Sequence, residues 1–367
     1  MDLRREMAKR IIEKIKELVP DLDLLPCDRV NLDSDRFKEY KDSDEHPAQA
    51  QFETPPLIER VKLMEEIDEN IPSILSYFLD GSRTTFRIAD LISEGKYYPV
   101  IAGQVGVSVI KRSIGRELPS PIHKFCKTDN VIAIPDKIFG NRDDLLEFEE
   151  RLNNSSLFSF KILTYKIKDD RDMVDLGVAR IMKEMHDLEI CMVENLVLEN
   201  LLDNQHLLVI DGSLRFKGNF SIENFRNVVG LAKSFKPSFV VGRGRAKCDV
   251  GTLAAKLKFG QRTTVYNTSD ENSVIGMWYL RIREPVWMSN PLQGIVKLEV
   301  YATTPDEISE GIDSSRVDTI SAHVLRERSV TPYGTDTRWA SHIYPIYLAE
   351  KFTKNSFMSS IHFQALF

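Results

Sequence analysis

The chain has 367 residues and a formal net charge of −6, with 42% apolar and 28% charged residues. This is the balance of a globular chain of one to three domains, and it excludes collagen-like, coiled-coil-only and wholly disordered architectures. No stretch approaches the roughly 18 uncharged apolar residues that a membrane span needs.

The opening MDLRREMAKRIIEKIKEL has no apolar signal core and reads as an amphipathic helix, stopped by Pro20, so a cytoplasmic location is expected. Residues 19–56 are acidic and carry Pro26, Pro47, Pro55 and Pro56, the composition of an irregular connection. A second amphipathic helix is predicted from Pro56 to Asn70. From Ile74 to Leu79 a short apolar run ends in Asp80-Gly81-Ser82 and reads as a buried strand closed by a turn. Thr84–Leu91 and Tyr97–Lys111 follow as strands of a meander. Val131–Ile134 and Phe158–Ile167 are further strands, separated by an acidic helix near Arg142–Leu152. Met173 to Leu202 is the longest helical pattern, with Val178, Ile181, Met185, Leu188 and Met192 recurring at three and four. His206–Ile210 is again an apolar run, ending in Asp211-Gly212-Ser213.

Ser221 is expected to cap a helix over Ile222–Ser234. Phe239–Gly242 reads as a strand and Asp249–Phe259 as a helix. Val274–Arg283 and Gly294–Ala302 read as strands, and Pro305–Arg326 and Ile343–Phe352 as helices. The expected architecture is α/β: a mixed sheet flanked by helices, with an antiparallel flank. Four cysteines (Cys27, Cys126, Cys191, Cys248) stand far apart without a CxxC pair, so neither a cysteine zinc site nor a disulfide framework is expected.

Charge is unevenly spread. Residues 21–70 hold 15 Asp/Glu against 6 Lys/Arg. Between Gly242 and Arg262 stand Arg243, Arg245, Lys247, Lys256, Lys258 and Arg262, with Asp249 the one acid. That segment suits a phosphate backbone, and a solvated helix face with a loop accounts for it equally well. It is neither a Walker loop nor a GxGxxG fingerprint.

The two Asp-Gly-Ser sequences are the sharpest chemical feature. In an open α/β sheet, sites form beyond the carboxyl ends of strands, where an aspartate is held rigidly and a following glycine permits close approach. Asp80 and Asp211 on neighbouring strands would share one or two hard divalent cations, Mg²⁺ or Mn²⁺, which prefer oxygen ligands. Asp-Gly is also ordinary turn chemistry. A third carboxylate is expected from the long helix. Glu184, Glu189, Glu194 and Glu199 recur every five residues and so cannot all face one site. Glu189, among Met185, Leu188 and Met192, is preferred over Glu194 because a carboxylate on an apolar face needs a partner or a cation. Lys233 reads either as a phosphate-binding cation or as a lysine complementing a helix C-terminus. His342 and Tyr344, ahead of the last helical stretch, could contact a phosphate, and His342 could donate a proton.

Taken in order, Phe78-Leu-Asp80-Gly-Ser, the acidic long helix, Val209-Ile-Asp211-Gly-Ser-Leu214, Val228-Val-Gly-Leu-Ala-Lys233-Ser and His342-Ile-Tyr344-Pro345-Ile-Tyr-Leu-Ala349 resemble the NurA family of nucleases. The resemblance covers about 78–352. It implies an RNase H-like fold, residues 73–367, with a β-rich insertion around 84–170 behind an N-terminal helical and acidic segment, 1–72. It also implies a Mn²⁺- or Mg²⁺-dependent DNase that resects 5′ ends and cuts single strands. The implied assembly is a homodimer docked on a hexameric HerA-type ATPase, in DNA repair or antiviral defence. By motif, Asp80, Glu189 and Asp211 resemble metal ligands and His342 a late catalytic position. Lys233 and Tyr344 fall within matched motifs. The expected mechanism is two-metal phosphodiester hydrolysis, with His342 or Lys233 offsetting phosphate charge and the 242–262 segment tracking DNA. Two other classes compete: a non-catalytic adaptor binding DNA and the ATPase, and a phosphotransferase of the actin or sugar-kinase type. The second lacks recognisable glycine-rich phosphate loops.

Overall fold

A computed structural model describes residues 11–19, 23–32, 50–65, 67–68, 70–93, 95–112, 119–154, 156–167, 171–216, 218–235, 240–241, 247–270, 273–288, 290–328 and 341–367. Helix α1 (11–18) is followed by β1 (Asp23–Asn31), β2 (Glu53–Thr54), β3 (Val61–Leu63), β4 (Leu75–Ser93), β5 (Lys96–Lys111) and β6 (Ser120–Pro135). Next come α2 (Arg142–Asn154), β7 (Lys161–Tyr165), α3 (Met173–Leu198), β8 (Leu207–Asp211) and β9 (Val228–Ala232). The chain continues through β10 (Val240–Val241), β11 (Cys248–Asp249), α4 (Val250–Ala255), β12 (Gln261–Thr263), β13 (Tyr266–Asp270), β14 (Ser273–Arg281) and β15 (Ile295–Tyr301). It closes with α5 (Pro305–Glu310), β16 (Ile312–Asp313), α6 (Ser314–Glu327), α7 (Tyr344–Ser356) and α8 (Ser360–Gln364).

Twelve of the described strands form one mixed sheet, along the path β3-β12-β14-β15-β9-β8-β4-β5-β6-β7, with β1 on β4 and β13 on β14. The centre, β4-β8-β9, is parallel. An antiparallel meander, β4-β5-β6, flanks it on one side and the antiparallel β9-β15-β14 on the other. The fold is therefore α/β, with the antiparallel flank that the sequence predicts. β8 and β9 are apolar along nearly their whole length because both of their faces are covered, the ordinary pattern of parallel strands.

Strand periodicity sorts the core into two faces. Tyr77, Leu79, Leu208 and Ile210 pack with Met185, Leu188 and Met192 of α3. Phe78, Val209, Val229 and Leu231 pack on the other face with Val317 and Ile320 of α6 and with Ile346 and Ala349 of α7. A third cluster joins the distal parts of β4, β5 and β6 to Ile11 and Ile15 of α1 and to Phe363 of α8. No helix among the described residues is long and apolar enough to cross a membrane.

Five expectations give way. Residues 19–56, expected as an irregular connection, supply β1, which pairs antiparallel with β4, and β2, which pairs with Ile312–Asp313. Among its described residues Pro56–Asn70 holds no helix; Val61–Leu63 pair with β12 at the sheet edge. Ile222–Ser234 is a short 3-10 turn, Ile222–Phe225, followed by strand β9. Val228-Val-Gly-Leu-Ala is a five-residue apolar run, too short for periodicity to separate a buried strand from a helix. The helix expected over Pro305–Arg326 breaks at Gly311, whose φ of +100° ends α5, and Ile312–Asp313 then pairs with β2. The Asp80-Gly81-Ser82 turn is not made. β4 runs straight through it, with Asp80, Gly81 and Ser82 paired to Ser108, Val107 and Gly106 of β5.

Candidate functional site

Asp80 lies within a long strand, at the point where its other neighbour stops. β8 pairs with β4 only up to Ile210↔Leu79, and β1 takes over the same edge from Phe86 onward. Asp211 is the next residue of β8, so the two aspartates stand beside each other on parallel strands, whose spacing is about 4.8 Å. Both face α7. Asp80 alternates in step with Phe78, and Asp211 with Val209, both of which pack toward that helix. Ser108, opposite Asp80 on β5, accepts a 2.7 Å hydrogen bond from Thr353 of α7, which fixes the face independently.

The helix brings an acid that the sequence reading does not single out. Glu350 follows Ala349 on α7, pairs with Lys354, and acts electrostatically on both Asp80 and Lys233. Its signal lay one residue beyond the matched segment that ends at Ala349: an acid flanking the apolar stripe of Ile346 and Ala349, the argument already applied to Glu189.

Lys233 is not at a helix end. It follows β9, whose Leu231 is level with Asp211, and its ammonium lies 2.7 Å from Asp211 Oδ2. Its side chain is almost wholly buried, 4% exposed. Burial opposes its charge, but Asp211, Asp80 and Glu350 outweigh burial and hold its pKa above the usual lysine value. In Asp80, also buried, burial and the neighbouring acids act together, so its charged form is disfavoured. Desolvation and then Asp211 push its carboxyl well above the usual aspartate value, with Glu350 and Glu189 adding to the effect and Lys233 opposing it.

Glu189 approaches from the α3 side. A Cβ on Gly81 would lie 2.3 Å from its Oε1, so its carboxylate rests over the bare backbone beside Asp80. Gly81 points to the opposite face from Asp80, which makes Glu189 a carboxylate across the sheet and Glu350 the one on the aspartates' own face. The other helical glutamates separate as the five-residue spacing requires. Glu184 pairs with Lys161 and Arg180, Glu194 is half-buried, and Glu199 pairs with Lys124 near the surface.

His342 is buried just before α7, its ring stacked toward Tyr347 at 6.2 Å between centroids. Ser341 donates to the Ile295 carbonyl, 3.2 Å, at the start of β15. Because Lys297 of β15 is level with Ala232, this bond anchors the segment at the Lys233 end of the sheet. Tyr344 opens α7 and is 46% exposed.

The basic segment divides. Lys247, Lys256 and Lys258 are exposed, while Arg243 and Arg245 lie outside the described residues. Arg262, expected on the DNA-facing surface, is fully buried. It bonds Glu53 through both terminal nitrogens (2.6 and 3.1 Å) and Asp318 through Nε at 2.7 Å. Glu53 also accepts from Ser314, Thr264 and the Val265 N–H. A guanidinium so enclosed ties β2 to β12 and α6 and has no access to a phosphate. The sequence counted it among surface charges because its acidic partners lie far away in the chain.

Among the described residues no three His, Cys, Asp or Glu side chains are already gathered closely enough to hold a metal ion. Instead the Lys233 ammonium sits on Asp211. The donors on the aspartates' face are nonetheless of the right kind: Asp80, Asp211 and Glu350 offer only carboxylate oxygens, the set that suits Mg²⁺ or Mn²⁺, whereas the expected ligand Glu189 lies across the sheet. The raised pKa of Asp80 reflects burial first and then the negative charge of Asp211 and its neighbours, and a bound cation would offset that charge. The chain matches no protein-family model, and no curated protein matches it.

Proposed function

We propose that this chain is a divalent-metal-dependent DNA nuclease of RNase H-like fold, similar to the NurA family. In this reading it works as a homodimer with a hexameric HerA-type ATPase in the cytoplasm, in DNA repair or antiviral defence. The observation that carries the reading is the pairing of Asp80 with Asp211 on one face, beside Lys233 and under Glu350. The mixed sheet with its antiparallel flank is compatible with the proposed fold.

Asp80 and Asp211 would hold one or two Mn²⁺ or Mg²⁺ ions, with Glu350 completing the oxygen donors on their face, while Glu189, across the sheet, stands outside that set. Such ions, when bound, lower the pKa of water and offset charge on a phosphate. The remaining work falls to the chain. Lys233, kept protonated by three acids, supplies fixed positive charge where phosphate charge develops. His342, next to the Ser341 anchor at the same end of the sheet, would give a proton to a leaving oxygen. The exposed Lys247, Lys256 and Lys258, with Tyr344, would contact the DNA backbone without reading sequence.

The test is cleavage of end-labelled single- and double-stranded DNA by the full chain, with Mn²⁺, with Mg²⁺ and with EDTA. Cleavage that needs the metal is expected, and Glu350→Gln should reduce it at least about tenfold. Absence of metal-dependent cleavage contradicts the reading and leaves the adaptor role.

A further inference from the structure

The turn after Asp211 folds back over the neighbouring strand. Gly212 takes φ +114°, in the region that favours glycine, and its N–H donates to the Leu231 carbonyl of β9 at 2.8 Å. Beneath it lies Gly230. A Cβ there would sit 2.7 Å from Leu214 Cγ and 3.1 Å from the Gly212 carbonyl oxygen, so the bare backbone is what lets the turn pass. Crossing β9, the turn reaches β15, one strand further on.

By the two-residue strand period, Lys297, Glu299 and Tyr301 share the face of β15 that meets the turn. Glu299 Oε2 accepts from Ser213 Oγ at 2.7 Å and from the Leu214 N–H at 2.8 Å. The Tyr301 hydroxyl donates to the Leu214 carbonyl. Both backbone groups of Leu214 are therefore held by side chains from one rigid strand. Glu299 is fully buried, with Lys297 Nζ 3.1 Å from its other oxygen. Burial pushes its carboxyl pKa up, but Lys297, the Ser213 hydroxyl and the Leu214 N–H outweigh burial and hold it below the usual glutamate value. An ionised carboxylate taken wholly out of water and spent on a turn is costly to keep unless the turn must be fixed.

Taking the nuclease reading as its basis, we infer that Glu299 is a positioning residue: with Tyr301 it clamps the 212–214 turn across Gly230 and so aims the Asp211 carboxylate for cation binding. Glu299 touches neither metal nor substrate. It acts through the backbone that carries Asp211, as outer partners of metal ligands do.

Two variants of the full chain test this. Glu299→Gln keeps size and removes the charge; Tyr301→Phe removes only the hydroxyl. Mn²⁺ affinity is measured by calorimetry, and DNA affinity separately by fluorescence anisotropy in EDTA. Glu299→Gln should weaken Mn²⁺ binding about tenfold or more, with DNA affinity within about twofold of wild type. Tyr301→Phe should shift Mn²⁺ affinity the same way by a smaller factor, and it decides the matter alone if Glu299→Gln does not fold. Unchanged Mn²⁺ affinity in folded variants overturns the inference, as does an equal fall in Mn²⁺ and DNA affinity, the mark of a merely structural role. A wild-type chain that takes up no Mn²⁺ removes instead the nuclease reading on which the clamp depends.

Discussion

Replacing Asp80 or Asp211 with Asn is expected to lower Mn²⁺-dependent DNA cleavage by on the order of a hundredfold to a thousandfold while the fold persists. The two residues stand side by side where β8 ends and β4 continues, on the face covered by α7. Asparagine keeps the volume and loses the charge, so an anionic donor disappears with little disturbance of packing. Steady-state cleavage of end-labelled DNA, paired with far-UV circular dichroism, checks the outcome. A folded Asp80→Asn chain that cuts at the wild-type rate would contradict it.

The same two substitutions should move metal-free stability in opposite directions. Desolvation and Asp211 raise the pKa of Asp80 above the ordinary 3.8. An acid whose native pKa is raised binds its proton more tightly when folded. Its contribution is therefore full below 3.8 and is lost as pH rises through the raised value. Asp80→Asn removes that loss, so the variant should melt higher than wild type at neutral pH in EDTA and show a flatter pH profile. Asp211→Asn does the reverse. It takes the 2.7 Å partner from a lysine that is 4% exposed, and the expected cost is about 2 kcal/mol, moderated by the remaining Asp80 and Glu350. Thermal melts in EDTA across about pH 4–8 separate the two. Saturating Mn²⁺ should stabilise wild type more than either variant, and melting shifts of the same sign in both metal-free variants would contradict the charge balance described here.

Much of the sheet was legible because buried parallel strands announce themselves as short apolar runs, as at Ile74–Leu79 and Leu207–Ile210. The long helix was legible from its three-and-four spacing, and its five-residue glutamate spacing foretold that Glu184, Glu189 and Glu199 would part company. What was hidden depends on tertiary partners. Whether Val228–Ala232 coils or extends is decided by the open edges of β8 and β15, not by the residues themselves. Asp80-Gly81-Ser82 has turn chemistry, yet β5 pairs with all three and holds them straight. Arg262 looks like its basic neighbours until Glu53, more than two hundred residues earlier, closes on it. Glu350 needed the docking of α7 to become an active-site candidate, and Glu299 needed a turn that crosses a strand over Gly230.

The most direct measurement is calorimetric titration of Mn²⁺ into the full chain and into the Asp80→Asn/Asp211→Asn double variant at neutral pH. The account predicts saturable binding to wild type that weakens as pH falls, because the raised pKa of Asp80 lets protons compete with the cation, and no comparable binding to the double variant. Equal binding by both proteins, or none by wild type, would contradict it.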